Sequence, residues 1–191
     1  MRLVIFKGVF HPGFFRSTNV FAAWIETQSL INKKILEIGA GSGLISLVAA
    51  RQGAIVTAID INEKAVENTK LNASKNNVEI NVYHSDLFNA VTRKDFDLVF
   101  INPPYYPKTP LNDYEKAWYC GEGFDYFEKL FMQLNKNGLS NDCFIILSDT
   151  CDLPSIAEIA ARNSIALNEI FSRKVSDERL MIYKTASIDP A

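Results

Sequence analysis

The sequence predicts an α/β fold built on a mostly parallel sheet with helices on both faces. Two observations carry that expectation. Apolar segments rich in β-branched and aromatic residues alternate with segments of helical periodicity along the chain. The segments around Leu36, Val56, Val99 and Ile146 are also nearly continuous in apolar residues, as expected of strands covered on both sides.

In chain order, residues 1–30 form an extension and residues 31–191 the core of what is expected to be a single domain. Thr18–Thr27 is expected to be a helix with Thr18 as its N-cap, because a hydroxyl there can accept an orphaned backbone N–H. Strands are expected at Lys34–Ile38, Ile55–Ile59, Val78–Tyr83, Asp97–Ile101 and Cys143–Ser148. Val78-Glu79-Ile80-Asn81-Val82 alternates apolar with polar residues, which fits a half-exposed edge strand. Helices are expected near Leu44–Arg51, Glu63–Lys75, Phe124–Leu134 and Leu153–Arg162. Ala166–Lys174 and Arg179–Lys184 form a closing hairpin around Ser176-Asp177.

Composition narrows the class. With 191 residues, 48% apolar and 22% charged, the chain has the make-up of one soluble globular domain. No stretch reaches the length of a membrane span, and the apolar run at the N-terminus is too short for a signal peptide; a cytoplasmic protein is expected. Cys120, Cys143 and Cys151 form no Cys-x-x-Cys, and His11 and His84 lie far apart, so reduced thiols and no metal site are expected. A net charge of −2 argues against a large nucleic-acid footprint, although residues 1–34 carry Arg2, Lys7, Arg16, Lys33 and Lys34 against Glu26 alone. Phe14, Phe15 and Phe21 could line an aromatic entrance or belong to the core.

Three constellations carry chemistry. Gly39-Ala40-Gly41-Ser42-Gly43 lies between the first strand and the first core helix, where glycines permit positive φ and close approach of a ligand. Leu44 occupies the position of the third glycine in a dinucleotide fingerprint, so that pattern fails. Glu37 just before the turn would welcome a cationic amino group rather than a pyrophosphate. Asp60 ends the next strand about 20 residues on, where an acid can accept ribose hydroxyls; alternatively Asp60 or Asn62 caps the following helix. Ser85-Asp86-Leu87-Phe88 offers a carboxylate and apolar groups for an adenine, or simply a turn. Finally, Leu98–Ile101 runs directly into Asn102-Pro103-Pro104-Tyr105. Two prolines end the strand and hold Asn102 extended, giving a rigid corner of amide, carbonyls and aromatic ring. Such a corner can grip a planar NH2 group.

In this order, Glu37-x-Gly-x-Gly-x-Gly43, Asp60, Asp86 and Asn102–Tyr105 resemble the class I S-adenosylmethionine-dependent methyltransferases, over roughly residues 17–150. The resemblance implies a Rossmann-like sheet of seven strands, with the third at an edge and a terminal antiparallel strand. It implies S-adenosyl-L-methionine as cofactor, with Glu37, Gly39, Gly41 and Gly43 at its methionine part, Asp60 at the ribose, Ile61, Asp86 and Leu87 at the adenine, and Thr18 and Asn102 also binding it. Asn102, Pro103 and Tyr105 would be catalytic. Val9-Phe10-His11-Pro12 with Ser17-Thr18, and Ala117–Gly123, are similar to the glutamine N-methyltransferase, or release-factor methyltransferase, branch. Cys120 stands where that branch has glycine. The implied acceptor is a glutamine amide of a protein, a translation release factor among the candidates, with a small partner protein. The alternatives are exocyclic amino groups of RNA or DNA, and a cofactor-binding module without catalysis.

Overall fold

The computed structural model describes residues 1–13, 16–93 and 95–188. Its elements are α1 (Arg16–Ile25), β1 (Lys34–Ile38), α2 (Leu44–Arg51), β2 (Ile55–Asp60), α3 (Glu63–Lys75), β3 (Ile80–His84), β4 (Leu98–Ile101), α4 (Asp125–Lys136), β5 (Cys143–Ser148), α5 (Leu153–Arg162), β6 (Ile165–Val175) and β7 (Glu178–Ser187). Among the described residues the strands form a seven-stranded sheet in the order β3-β2-β1-β4-β5-β7-β6. β3 lies at an edge, as expected from its alternation. No described helix is long and apolar enough to cross a membrane.

The chain divides into two compact units, Met1–Phe100 and Ile101–Ala191. In the first, β1, β2 and β3 pair in parallel, with Leu36 opposite Thr57 and Ala58 opposite Val82. Ile35, Leu36, Ala58 and Ile59 are wholly buried, which explains their unbroken apolar runs. β3 buries only Val82 fully, and Tyr83 is half exposed, so its period of two is legible. α1 begins two residues before the expected start. Thr18 is therefore not the N-cap but a buried residue inside the first turn. Phe21 faces the core, fully buried and edge-on to Phe100 with ring centroids 5.6 Å apart. That removes it from any entrance; Phe14 and Phe15 lie outside the described residues.

In the second unit, β7 is hydrogen-bonded to both β5 and β6, antiparallel to each. α4 buries Phe127, Leu130, Phe131 and Leu134 at spacings of three and four, an amphipathic helical stripe. Asp152 caps α5 by accepting the Ser155 N–H at 3.1 Å.

Candidate active site

β1 delivers the turn Gly39–Gly43 to α2. Gly39 and Gly43 both have left-handed backbone, with φ of 78° and 82°, where a side chain is strained. The N–H groups of Gly39 and Ala40 donate to the Ile59 carbonyl at 2.9 and 3.0 Å, tying the turn to the end of β2. A Cβ on Gly39 would meet nothing within 4 Å, so a ligand can approach the backbone there. Gly43 is glycine for a different reason: its Cβ would stand 2.8 Å from Thr69 Cγ2.

Glu37 is buried and accepts the Ser46 N–H at 2.9 Å and a short hydrogen bond from the Ser46 hydroxyl. Ser46 lies in the first turn of α2, whose N-cap residue Gly43 has no side chain to offer. Glu37 thus satisfies an orphaned donor of that helix from the neighbouring strand. Burial pushes its pKa up to about 8 despite the two Ser46 bonds, and Asp60 adds to the rise. A bound cation would relieve both effects.

Asp60 ends β2 with both carboxylate oxygens engaged. Oδ2 accepts the Gly41 N–H and Oδ1 the Asn62 N–H, each at 2.8 Å. Burial raises its pKa against these bonds and against nearby His84. The cap of α3 is Asn62, which accepts the Lys64 N–H at 3.0 Å. Asp60 therefore braces the glycine turn rather than the helix. Each oxygen keeps a second lone pair for another donor. His84 Nε2 lies 2.8 Å from the Ile61 carbonyl, fixing the residue after Asp60.

After β3, Ser85 is buried; its hydroxyl donates to the Leu87 carbonyl at 2.6 Å and accepts the Ala90 N–H at 2.9 Å. These bonds hold a 3-10 turn over Leu87–Ala90, headed by half-buried Asp86. Leu87 is buried with φ 48°, an uncommon conformation for a bulky residue. Glu37, the glycines, Asp60, Ile61, Asp86 and Leu87 thus gather at the C-terminal ends of three adjacent parallel strands, where open α/β sheets bind ligands.

In the second unit, Asn102 follows the last residue of β4. Pro103 is buried, whereas Asn102, Pro104 and Tyr105 are partly exposed. The Tyr105 ring meets Tyr106 edge-on, with centroids 4.9 Å apart. Burial raises the Tyr105 phenol above its ordinary pKa, so the ring is neutral across the physiological range. The segment after it is knitted to residues 118–121. Tyr106 N–H donates to the Trp118 carbonyl and Cys120 N–H to the Tyr106 carbonyl, each at 3.0 Å, and Gly121 N–H donates to the Lys108 carbonyl at 3.1 Å. Lys108 Nζ stands 4.6 Å from the Tyr119 ring centroid. At Gly121 (φ 90°) a Cβ would stand 2.0 Å from Asp125 Oδ2, so glycine is required there.

With this fold and these strand ends the molecule is a Rossmann-like enzyme of the methyl-transfer class, and residues 1–114 match the methyltransferase small domain. The chain belongs to that family, which draws its methyl group from S-adenosylmethionine. Over 77 residues it is 52% identical to a protein of Methanocaldococcus jannaschii provisionally named a protein N5-glutamine methyltransferase, covering 40% of this chain and 39% of that one. Over 77 residues it is 43% identical to the release factor glutamine methyltransferase of Shewanella oneidensis, covering 39% and 27%. The matched stretch is thus well under half the length of either relative. The fold is similar to that in the E. cuniculi Mtq2–Trm112 complex responsible for methylation of the eRF1 translation termination factor, with TM-score 0.70, 18% identity and coverage of 96% and 100%.

Proposed function

We propose that this protein methylates the side-chain amide nitrogen of a glutamine in a protein substrate, a translation release factor being the favoured class. The observation that carries this reading is the corner Asn102-Pro103-Pro104-Tyr105 at the end of β4. The names of the two curated relatives support it, and a small partner protein is part of the same reading.

An amide nitrogen is a poor nucleophile because its lone pair is delocalised, so orientation matters more than a strong base. Asn102 Oδ1 and the Pro103 carbonyl accept the two N–H groups of the target and fix the direction of its lone pair. Tyr105, neutral and held by Tyr106, stacks on the amide plane. The residues of the first unit fit S-adenosylmethionine. Open space at Gly39 admits the methionine part beside the turn of Gly39, Gly41 and Gly43, with Thr18 contributing. Glu37 receives its ammonium group, and Asp60 retains lone pairs for ribose hydroxyls. Ile61, Asp86 and Leu87 flank the adenine. When bound, the cofactor supplies a methyl group activated on a sulfonium centre.

Incubation with methyl-labelled cofactor and separated protein, RNA and DNA fractions tests this. Label is expected in protein, on a glutamine side chain located by peptide mass spectrometry. Label only in RNA or DNA would transfer the assignment to exocyclic amino groups. Cofactor binding with no label in any fraction would favour a non-catalytic binding module.

A further inference from the structure

Residues 2–8 are fastened along α3 by a row of asparagine amides. Asn76 accepts the Arg2 N–H at 3.1 Å and donates to the Arg2 carbonyl at 2.7 Å. Asn72 does the same with Val4, at 2.9 and 2.8 Å. Asn68 accepts the Phe6 N–H at 2.9 Å and donates to the Val4 carbonyl at 2.7 Å. At the other end of the helix, Asn62 donates to the Gly8 carbonyl at 2.9 Å. The repeats match: four helical residues rise about 6 Å and two extended residues about 6.6 Å. Alternate residues of the segment therefore meet successive asparagines on one face of the helix, each amide standing in for a peptide group of a neighbouring strand.

Asparagine is a weak helix former, and Asn68 and Asn72 have no solvent exposure. Their amides are satisfied only while the segment is seated, because a buried polar group left unpaired is costly. The same face of α3 holds the glycine turn. Asn72 Nδ2 donates to the Ser42 carbonyl at 2.9 Å as well as to Val4, and the Thr69 hydroxyl donates to the Gly41 carbonyl at 3.2 Å. One amide thus grips both the segment and the turn. Further along, Phe10 Cβ lies 3.7 Å from the position of a Cβ on Gly41.

We propose that residues 2–8 are a strap that positions the glycine turn through Asn72, with Asn68 and Asn76 as positioning residues, so that seating of the strap and binding of an adenosyl amino-acid cofactor are coupled. The proposal rests on the reading of the turn as the cofactor's seat. Coupling of this kind is reciprocal: ligand must tighten the strap as much as the strap tightens ligand.

The test compares the unaltered chain with Asn68→Ala and Val4→Pro, using S-adenosylhomocysteine as ligand. Calorimetry reads affinity, and hydrogen exchange reads amide protection over residues 2–8. Asn68 bonds the strap and not the turn; Val4→Pro deletes the strap N–H that Asn72 accepts and is a second, independent variant should Asn68→Ala fail to fold. Ligand should slow exchange of the strap in the unaltered chain. Both variants should lose that protection and bind about fivefold to tenfold more weakly, the loss expected for one or two hydrogen bonds. A variant with an unprotected strap and unchanged affinity overturns the proposal. Failure of the unaltered chain to bind would overturn the cofactor reading beneath it, and the strap's role with it.

Discussion

Asn102 stands between a strand and two prolines, so its backbone has little freedom to adapt if its side chain is lost. Replacing it by Ala should lower kcat about a hundredfold to a thousandfold, the usual effect of removing a group that orients or stabilises the reacting centre. Cofactor affinity should stay within about twofold by calorimetry; joint loss of binding and turnover would contradict an orienting role. Glu37 makes a separate prediction. From the ordinary carboxylate range up to about pH 8, the folded chain keeps a proton on Glu37 that the unfolded chain releases. Stability should therefore fall as pH rises through that window, by at most about 1.4 kcal/mol per pH unit from this group. Affinity for the cationic cofactor should move the other way and rise with pH. Denaturant titrations and calorimetry at pH 6 and 8 check both signs, and Glu37→Gln should flatten both. The sequence made Glu37 and Asp60 legible as acids at strand ends. It could not reveal that Glu37 engages Ser46, or that Asp60 engages Gly41, since neither bond belongs to a local pattern.

Among the elements, five have the bounds expected from the sequence. β1, β5, α2, α3 and α5 start and stop where the apolar pattern does. β2 runs one residue further than expected because Asp60 still pairs with His84, and β3 ends at His84 for the same reason. The start of α1 was missed because a hydroxyl pointing into the core reads in sequence like a cap. The asparagine row was illegible for a plainer reason: its partners in the strap lie 54 to 74 residues away. The turn before α2 carries its own prediction. Gly43→Ala must place a Cβ 2.8 Å from Thr69 Cγ2 at φ 82°. It should destabilise the protein by about 2–4 kcal/mol, combining left-handed strain with overpacking. Thermal unfolding would show it, and Gly43→Ala with Thr69→Ser, which removes the clashing methyl, should recover part of the loss.

For the whole molecule, thiol chemistry offers a global probe. Cys143 is fully buried, and burial lifts Cys120 to about 11 and Cys151 to about 12. At pH 7.5 a pyridyl disulfide should react with the native protein at least about a hundredfold more slowly than with free cysteine. In denaturant it should titrate all three thiols of the sequence at the free rate. A fast native thiol would show that one of these sites opens. The placement of β7 has a further consequence, for the order of events during synthesis. β7 lies between β5 and β6, yet it is made after both. Until β7 is available, β5 and β6 have no strand to join them, and the edges that β7 covers stay unpaired. A released product truncated between Val175 and Ser187 carries both edges uncovered, so it should be captured by chaperones or degraded rather than persist half-folded.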